Sequence, residues 1–410
     1  MLQRYIKKNK KHILKKKIVI FAEKKKKMKI IYTYESLNIP GGADRVITEK
    51  ANYLAAHGYE VIIIVTSQAG AKPYYPISPK VKFVDLNINF YKQYGHNIMY
   101  RAYIYFSLMR VYRKKLSSIL FSEHPDIVIT PLGREIDFIT KIKDGSKKIG
   151  ESHIAKLYAR NLHLMEQHNL IYRFIANIWR RKLDNAVSKL DALVLLTQHD
   201  ADSWAGNTKT FVIPNSLPFY PERISSCENK QAIFVGRLNE QKGLEYLVKI
   251  WEEVHHKHQD WILNIYGDGE QKQLLKELIR ESGLERVVVM HQPTTQIMDK
   301  YLESSVCVLT SRFEGFGMVL IEAMACGVPV VSFNCPWGPA DIIKDGVDGF
   351  LVEHLNTKKA SEKICQLIED KNLRKNMGSQ ARKNIIRYDR DNIMKQWIDL
   401  FKSLSSNNRS

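Results

Sequence analysis

Short runs of β-branched and aliphatic residues alternate with helix-like segments along most of this chain, and few folds accommodate such a pattern. The alternation is typical of βαβ units, in which each strand is joined to a parallel neighbour through a helix. A first series of predicted strands covers residues 30–33, 61–66, 81–86, 127–130, 148–151, 192–196 and 212–215, and a second covers 232–236, 262–266, 287–290, 306–310, 328–333 and 350–352. Two series predict an α/β protein with two Rossmann-like, doubly wound domains.

The predicted linker between the two domains covers residues 215–230, which are rich in Pro, Ser and Asn and contain few large aliphatic residues. Such a composition is typical of a domain boundary. We therefore expect a first domain at 28–215 and a second domain at 216–390. The last helical pattern, at 391–404, is expected to pack back on the first domain and complete it.

Each series opens with a strand, a glycine-bearing turn and a helix. The two turns lie at residues 39–44, with the sequence IPGGAD, and at 236–243, with the sequence GRLNEQKG. A glycine turn that leads into a helix N-terminus can bind a phosphate group. Neither turn is a complete dinucleotide or P-loop motif. Together they predict two domains that face one central cleft.

The net charge of +20 is unevenly distributed. Residues 1–220 hold 37 Lys and Arg against 17 Asp and Glu, whereas the remaining residues hold 26 of each kind. Among residues 1–27, 12 basic residues accompany the single acid Glu23, so we interpret this segment as a basic extension and Met28 as the expected true start of the protein. Charge alone favours a nucleic-acid-binding protein. That alternative is disfavoured because no binding motif is present and the neutral half carries the most informative motifs.

The chain has no apolar run that approaches the roughly 20 residues needed to span a bilayer. The apolar run at 18–22 is also too short for a secretory signal. The cysteines form no C-x-x-C pair, and several lie in apolar runs, which favours reduced core residues in a cytosolic protein. They are Cys227, Cys307, Cys326, Cys335 and Cys365.

The most informative stretch covers residues 310–331, with the sequence TSRFEGFGMVLIEAMACGVPVV. Its glycines Gly315 and Gly317 allow a ligand to approach the backbone, and the helix that follows offers unpaired N–H groups to an anion. Glu314 lies in the turn before that helix, and Glu322 lies among apolar residues within it. A buried carboxylate needs a partner. A ligand diol, a buried Arg or a backbone cap would each serve for Glu322.

This stretch closely resembles the signature of family 4 of the retaining glycosyltransferases, whose members have the GT-B fold. The resemblance covers roughly residues 29–404 and is most specific in the second domain. Further segments that resemble the family, in its order, are GGADRV at 41–46, Pro214-Asn215, VGRLNEQKG at 235–243, IYGDGE at 265–270 and CPWGPADIIKDGVDGFLV at 335–352.

The resemblance implies which residues bind the nucleotide part of a donor. Arg237 and Lys242 match the family positions that contact the donor diphosphate, and a guanidinium and an ammonium can neutralise the charge of a leaving nucleoside diphosphate without a metal. Gly41 and Gly42 match the first-domain glycine loop that lies against the same phosphates. Glu322 matches the family residue that binds the ribose diol, and such a diol would supply the partner that this buried carboxylate needs.

The resemblance also implies a sugar-binding group. Glu314 matches the carboxylate near the hydroxyl groups of the donor sugar, with the N–H groups of Phe316 and Gly317 beside it. His153 matches the active-site histidine that contacts the transferred sugar, although the order here is Glu-Ser-His where many members have Glu-His. No cofactor and no metal is expected, since the family reaction is generally metal-independent. For the same reason, the histidines at 255, 256 and 258 are interpreted as an exposed helix end.

The activity implied is transfer of a hexose or N-acetylhexosamine from a nucleotide sugar, UDP-linked by expectation, to a glycan or lipid-linked oligosaccharide in surface polysaccharide biosynthesis. The expected mechanism retains the anomeric configuration through an oxocarbenium-like transition state. The motifs offer no carboxylate for a covalent intermediate. A sugar-nucleotide epimerase on the same fold is the alternative enzyme. Neither donor sugar nor acceptor can be chosen from the sequence.

Aromatic and basic residues alternate at residues 91–120 and again at 171–183. Helices of this composition can lie on an anionic membrane surface, with their aromatic residues at the level of the lipid headgroups. Aromatic residues buried in a core, flanked by solvated Lys and Arg, are the alternative interpretation. The expected location is the cytoplasm, with peripheral contact at the inner face of the membrane.

Overall fold

A computed structural model describes residues 27–161, 170–204, 206 and 208–406, and it consists of two open parallel sheets with helices on both faces. The first sheet has seven strands, in the spatial order β3-β2-β1-β4-β5-β6-β7. These strands are β1 (Lys29–Tyr34), β2 (Glu60–Val65), β3 (Val81–Asp85), β4 (Ile127–Thr130), β5 (Lys147–Glu151), β6 (Ala192–Leu195) and β7 (Thr210–Val212).

The second sheet has six strands, in the order β10-β9-β8-β11-β12-β13. They are β8 (Gln231–Val235), β9 (Ile262–Tyr266), β10 (Val288–His291), β11 (Val306–Leu309), β12 (Val330–Phe333) and β13 (Gly349–Val352). Every strand pair in both sheets is parallel, with registers such as Ile30 opposite Val61 and Ile233 opposite Asn264. The α/β fold class, with two doubly wound domains, is confirmed.

Twelve α-helices are described. They are α1 (Gly42–Ala56), α2 (Ile98–Glu123), α3 (Leu170–Val187), α4 (Gln198–Ser203), α5 (Leu244–Lys257), α6 (Lys272–Glu281), α7 (Ile297–Leu302), α8 (Met318–Ala325), α9 (Pro339–Ile342), α10 (Thr357–Glu369), α11 (Lys371–Ile385) and α12 (Arg390–Ser406). Short 3₁₀ turns lie between them. None of the helices in these described ranges is long and apolar enough to cross a membrane.

The strand order places one crevice in each domain. In the first sheet, β2 and β3 are added on one side of β1, and β4 then follows on the other side of β1. In the second sheet, β9 and β10 are added on one side of β8, and β11 then follows on its other side. The loops that follow β1 and β4, or β8 and β11, therefore diverge at the carboxyl edge of each sheet. Open α/β sheets bind their ligands at this point.

Apolar packing continues from the first domain into the second and into the last helix. One cluster of buried side chains includes Tyr32 on β1, Leu54 on α1, Leu320 on α8 and Trp397 on α12. The terminal helix thus packs against the first domain, although it follows the second in the chain. Removing an aromatic side chain from such a core costs about 3–5 kcal/mol.

The element boundaries differ from the predictions by one or two residues in most cases. The predicted strand at 212–215 is wrong in its extent, because β7 ends at Val212 and proline at position 214 has no N–H to donate to a sheet. The five cysteines are free and buried. The basic extension lies almost wholly outside the described residues.

Candidate active site

Two helix N-termini from different domains approach one another across the cleft. Gly41 caps α1 in an extended conformation, and Gly317, with φ of 101°, caps α8. A Cβ atom at Gly42 would lie 3.6 Å from Cγ of Met318, the first residue of α8. Each N-terminus carries partial positive charge and unpaired amides. The cleft between them is therefore suited to an anion such as a diphosphate.

Lys242 and Glu314 form an ion pair at the carboxyl edge of the second sheet. Nζ of Lys242 donates to Oε1 of Glu314 at 2.6 Å, and the hydroxyl of Ser311 donates to the same oxygen at 2.6 Å. Glu314 is only 6% exposed. The neighbouring Gly243 has φ of 59°, and a Cβ atom there would overlap the carbonyl oxygen of Thr310. This glycine lets the Lys242 loop lie against the end of β11.

Arg237 follows β8 at the carboxyl edge of the second sheet. Its side chain is exposed and, within the described residues, makes no ion pair or hydrogen bond. Asp44 on α1 lies near enough for Arg237 to lower its pKa, but burial dominates and raises the pKa of Asp44 to about 6. The hydroxyl of Tyr34 donates to Oδ1 of Asp44 at 3.0 Å, whereas the buried Oδ2 has no partner. A charged guanidinium is thus available at the cleft.

Glu322 is buried in α8 and has two protein partners. Tyr301 on α7 donates its hydroxyl to Oε2 at 3.1 Å, and Arg45 on α1 reaches across the cleft to within 3.4 Å of Oε1. Burial raises the pKa of Glu322 to about 7, although Arg45 and Tyr301 each lower it. The sequence left an Arg among the alternatives for this carboxylate. It did not identify Arg45 or Tyr301.

The guanidinium of Arg45 is held from several sides. Its Nε donates to Oε1 of Glu49 at 2.9 Å, and the rings of Tyr75 and Phe219 lie 5.8 and 5.4 Å from it. Contacts with aromatic rings favour a cation at this position. Arg45 therefore links the first domain to the residue that resembles a ribose ligand.

His153 lies directly against the loop that carries Glu314. A Cβ atom at Gly315 would overlap the carbonyl oxygen of His153, so the two loops touch across the cleft. Burial lowers the pKa of His153, and Glu151 opposes this effect. Nε2 of His153 lies 3.3 Å from Oε1 of Glu151 but lacks the alignment of a hydrogen bond.

The amides next to Glu314 lie in the turn before α8. Phe316 is buried, and its carbonyl would overlap a Cβ atom at Gly338, which has φ of 91°. The N–H groups of Phe316 and Gly317 donate no hydrogen bond within the described part of the chain. They are thus free to donate to a bound group.

The aromatic residues of the two domains meet at the rim of this site. The ring of Tyr158 stacks on Phe313 at 3.5 Å with an interplanar angle of 9°, and Trp337 lies edge-on to Tyr158 at 5.6 Å. Trp337 belongs to the segment at 335–352 that resembles the family. The histidines at 255, 256 and 258 are far from these residues in sequence and end α5, where His258 contacts Glu369 at 3.1 Å.

Comparisons with known proteins place this site in context. Residues 222–384 match the family model described as glycosyl transferases group 1. The amylovoran biosynthesis glycosyltransferase AmsD of Erwinia amylovora is 30% identical over 383 residues, which are 91% of this chain and 99% of AmsD. The poly(ribitol-phosphate) α-N-acetylglucosaminyltransferase of Staphylococcus aureus is 35% identical over 218 residues, 53% of this chain and 43% of that enzyme.

The fold has solved counterparts. A crystal structure of an S. aureus TarM mutant in complex with fondaparinux, α-GlcNAc-glycerol and UDP aligns with a TM-score of 0.73 at 17% identity, over 91% of this chain and 99% of TarM. The likeness at this identity concerns the fold. The family model and the match to AmsD over nearly its full length show that the chain belongs to the glycosyl transferases group 1. The protein is therefore a glycosyltransferase, and its fold is GT-B.

Proposed function

We propose that the protein transfers a hexose or N-acetylhexosamine from a UDP-sugar to a glycan or lipid-linked oligosaccharide in surface polysaccharide biosynthesis, with retention of anomeric configuration. The observation that carries the proposal is the Lys242–Glu314 pair beside Arg237, opposite the Gly41 loop. A relative that acts in amylovoran biosynthesis and a structural neighbour bound to UDP support the acceptor class and the donor.

In this mechanism the cations act on the leaving group. Arg237 and Lys242 bind the diphosphate, with the N-terminus of α1 behind Gly41, and they stabilise the charge that develops as the bond between sugar and phosphate breaks. Preorganised charge of this kind is usually the largest contribution to catalysis. Lys242 already contacts Glu314 at 2.6 Å. The group that binds the diphosphate and the group that binds the donor sugar therefore lie side by side.

The carboxylates act on the hydroxyl groups of the donor. Glu322 accepts hydrogen bonds from the ribose diol, and Glu314 accepts them from the transferred sugar. The acceptor hydroxyl then attacks the anomeric carbon from the face that the diphosphate leaves. Its proton passes to the departing phosphate oxygen, so no protein base is needed. Neither a metal nor another cofactor takes part in this proposal.

The first experiment identifies the donor. Thermal stabilisation of the full chain by UDP-, GDP- and ADP-sugars should single out a UDP-sugar, and incubation with that donor and a lipid-linked oligosaccharide should release UDP. Proton NMR of the product should show the anomeric configuration of the donor. An inverted linkage would contradict retention, and conversion of the UDP-sugar without an acceptor would support the epimerase alternative.

Variants test the assigned residues. Arg237→Ala and Glu314→Gln should each reduce kcat by about 10²-fold or more, since each removes a group that acts on the reacting donor. Arg280→Ala, in which an exposed arginine of α6 is removed, is the matched control and should retain full turnover. Full turnover in Arg237→Ala or Glu314→Gln would remove that assignment.

The same proposal includes peripheral contact with an anionic membrane. One face of α2 exposes Met99, Tyr103 and Phe106, and Arg110 and Arg113 continue it at helical spacing. Apolar side chains followed by cations on one face are typical of a helix that lies in the headgroup region.

The neighbouring α3 repeats this arrangement. Leu170, Phe174 and Ile178 are exposed at a spacing of four residues, and Arg181 follows them on the same face. Core packing does not account for these side chains. Cations beside them complement the negative charge of the cytoplasmic leaflet.

Vesicle co-sedimentation tests this contact. The protein should sediment with phosphatidylglycerol vesicles at moderate salt but not with phosphatidylcholine vesicles. Arg110→Glu combined with Arg113→Glu should abolish binding. Lys276→Glu combined with Lys358→Glu changes the charge equally on the second domain and should not. Absence of binding by the unmodified chain, or equal losses in both double variants, would contradict a membrane surface at α2.

A further inference from the structure

A buried lysine lies beneath the cleft and has no part in the transfer chemistry described above. Lys50 is on the face of α1 that packs against the first sheet, between the buried residues Ile47 and Leu54, and it is 3% exposed. Its ammonium donates to Oε1 of Glu151, the last residue of β5, which is 2% exposed. The ring of Trp397 from α12 lies 4.3 Å from the same ammonium.

This pair is unusual because ion pairs in a core are costly. Removal of two charges from water is only partly offset by their attraction, and an apolar pair of similar volume is often as stable. Burial lowers the pKa of Lys50, and Glu151 opposes the shift. Burial alone would raise the pKa of Glu151, but Lys50 and His153 outweigh it and the net shift is downward. Core stability alone therefore does not account for this ion pair, which favours a functional role for it.

The imidazole of His153 lies beside the carboxylate that Lys50 binds, without an aligned hydrogen bond to it. Its Nε2 lies 3.3 Å from the oxygen that accepts from the ammonium, and the backbone of His153 lies against Gly315, next to Glu314. A continuous series of contacts thus connects the ring of Trp397, the ammonium of Lys50, the carboxylate of Glu151 and the imidazole of His153. Three elements that are distant in the chain supply these groups.

Few other ionisable groups bear on the imidazole. Tyr32 on β1 lies beside Glu151, and burial raises its pKa well above the usual value, so it remains neutral. Glu314, on the loop that touches His153, is already paired with Lys242. Burial is the largest influence on His153 and disfavours the charged ring, Glu151 attracts a proton to the ring, and Lys50 opposes that attraction.

We propose that Lys50 and Glu151 are positioning residues for the transfer reaction: Glu151 orients the His153 imidazole toward the donor sugar, and Lys50 neutralises Glu151 so that the imidazole faces the sugar uncharged. This rests on the function proposed above and on the oxocarbenium-like transition state expected for it, in which positive charge develops on the transferred sugar. An imidazolium beside an oxocarbenium-like centre would oppose that charge. A neutral imidazole can still exchange a hydrogen bond with a sugar hydroxyl.

The test measures the pKa of His153 by NMR in the full chain without nucleotide. The imidazole resonance is assigned with His153→Gln. Lys50→Met leaves Glu151 unneutralised and should raise the pKa of His153 by about one unit or more, whereas Glu151→Gln removes the attraction and should lower it further. Shifts in the same direction, or no shift in either variant, would overturn the proposal.

Two further variants separate positioning from folding. Lys148→Met breaks another buried lysine–carboxylate pair, with Asp144, near the start of β5 and should leave the pKa of His153 unchanged. Lys50→Met combined with Glu151→Gln removes both charges and avoids an isolated buried carboxylate. It should unfold at a higher temperature than Lys50→Met alone and keep the pKa of His153 as low as in the unmodified chain; a raised pKa in the double variant would contradict neutralisation by Lys50.

A kinetic readout completes the test. The acidic limb of the kcat–pH profile should move to higher pH in Lys50→Met, with little change in KM for the donor. If transfer is found and this limb does not move, the inference fails while the proposed function stands. If no transfer is found but the NMR shifts occur in opposite directions, the proposed function fails while the buried network stands.

Discussion

Glu322 should make the stability of this protein fall between pH 5 and pH 8, and Glu322→Gln should remove that fall. The pKa of Glu322 is raised from 4.5 to about 7, chiefly by burial. The folded state therefore keeps the proton to a higher pH than the unfolded chain does. The stabilisation due to protonated Glu322 is complete below the unfolded pKa and is lost as the pH rises through the folded value.

The magnitude follows from these two pKa values. At pH 5 the carboxyl is protonated in the folded protein but mostly ionised in the unfolded chain, which lowers the free energy of unfolding by about 1 kcal/mol. At pH 8 it is ionised in both states, and the reduction is about 3 kcal/mol. The unmodified chain should thus lose about 2–3 kcal/mol relative to Glu322→Gln over this range.

Urea denaturation followed by far-UV circular dichroism at pH 5, 6, 7 and 8 measures the effect. Comparison with Glu322→Gln at each pH cancels the titration of all other groups. Glu362→Gln, on α10, makes the same chemical change at an exposed site and serves as the control. A difference between Glu322→Gln and the unmodified chain that is the same at pH 5 and pH 8 would refute a raised pKa for this carboxyl.

Further expectations concern the remaining cleft residues. Lys242→Met removes an ammonium from the phosphate side and should lower kcat by about 10²–10³-fold at saturating donor; an unchanged kcat excludes its role. Gly315→Ala would overlap the carbonyl of His153 and force the domains apart, which a larger radius of gyration in small-angle scattering would reveal. Arg45→Met removes the cation 3.4 Å from Glu322 and should weaken UDP binding at pH 7, measured by calorimetry, by favouring the protonated carboxyl; equal affinity would contradict this.

The second domain could be predicted in detail because its chemistry is local. Lys242 lies in the turn between β8 and α5, and Glu314 lies in the turn between β11 and α8, so the strand, the glycine turn and the following helix determine where they lie. Gly243 and Gly317 adopt positive φ values in those turns, which glycine tolerates best. A contiguous motif therefore carries most of the geometry of this half of the site.

The partners of Glu322 could not be predicted in this way. Arg45 is 277 positions away in sequence and belongs to the other domain, so its contact depends on how the two domains close. Tyr301 is nearer, but its hydroxyl is directed at Glu322 only through the packing of α7 on α8. The sequence indicates that this buried carboxylate needs a partner. Whether that partner is a ligand or an arginine depends on the tertiary structure.

Lys50 differs from both cases, because a local signal for it does exist. It interrupts the apolar face formed by Ile47, Ala51 and Leu54 on α1, where a lysine cannot reach solvent without leaving the core. A cation at such a position requires a buried carboxylate on a neighbouring element. The candidates in a parallel sheet are the acids at strand ends, and Glu151 ends β5 two residues before the histidine of the site. A charged residue within an apolar helix face thus predicts that a strand-end carboxylate lies under the cleft, and the pKa of His153 in Lys50→Met measures whether that pairing governs the chemistry above it.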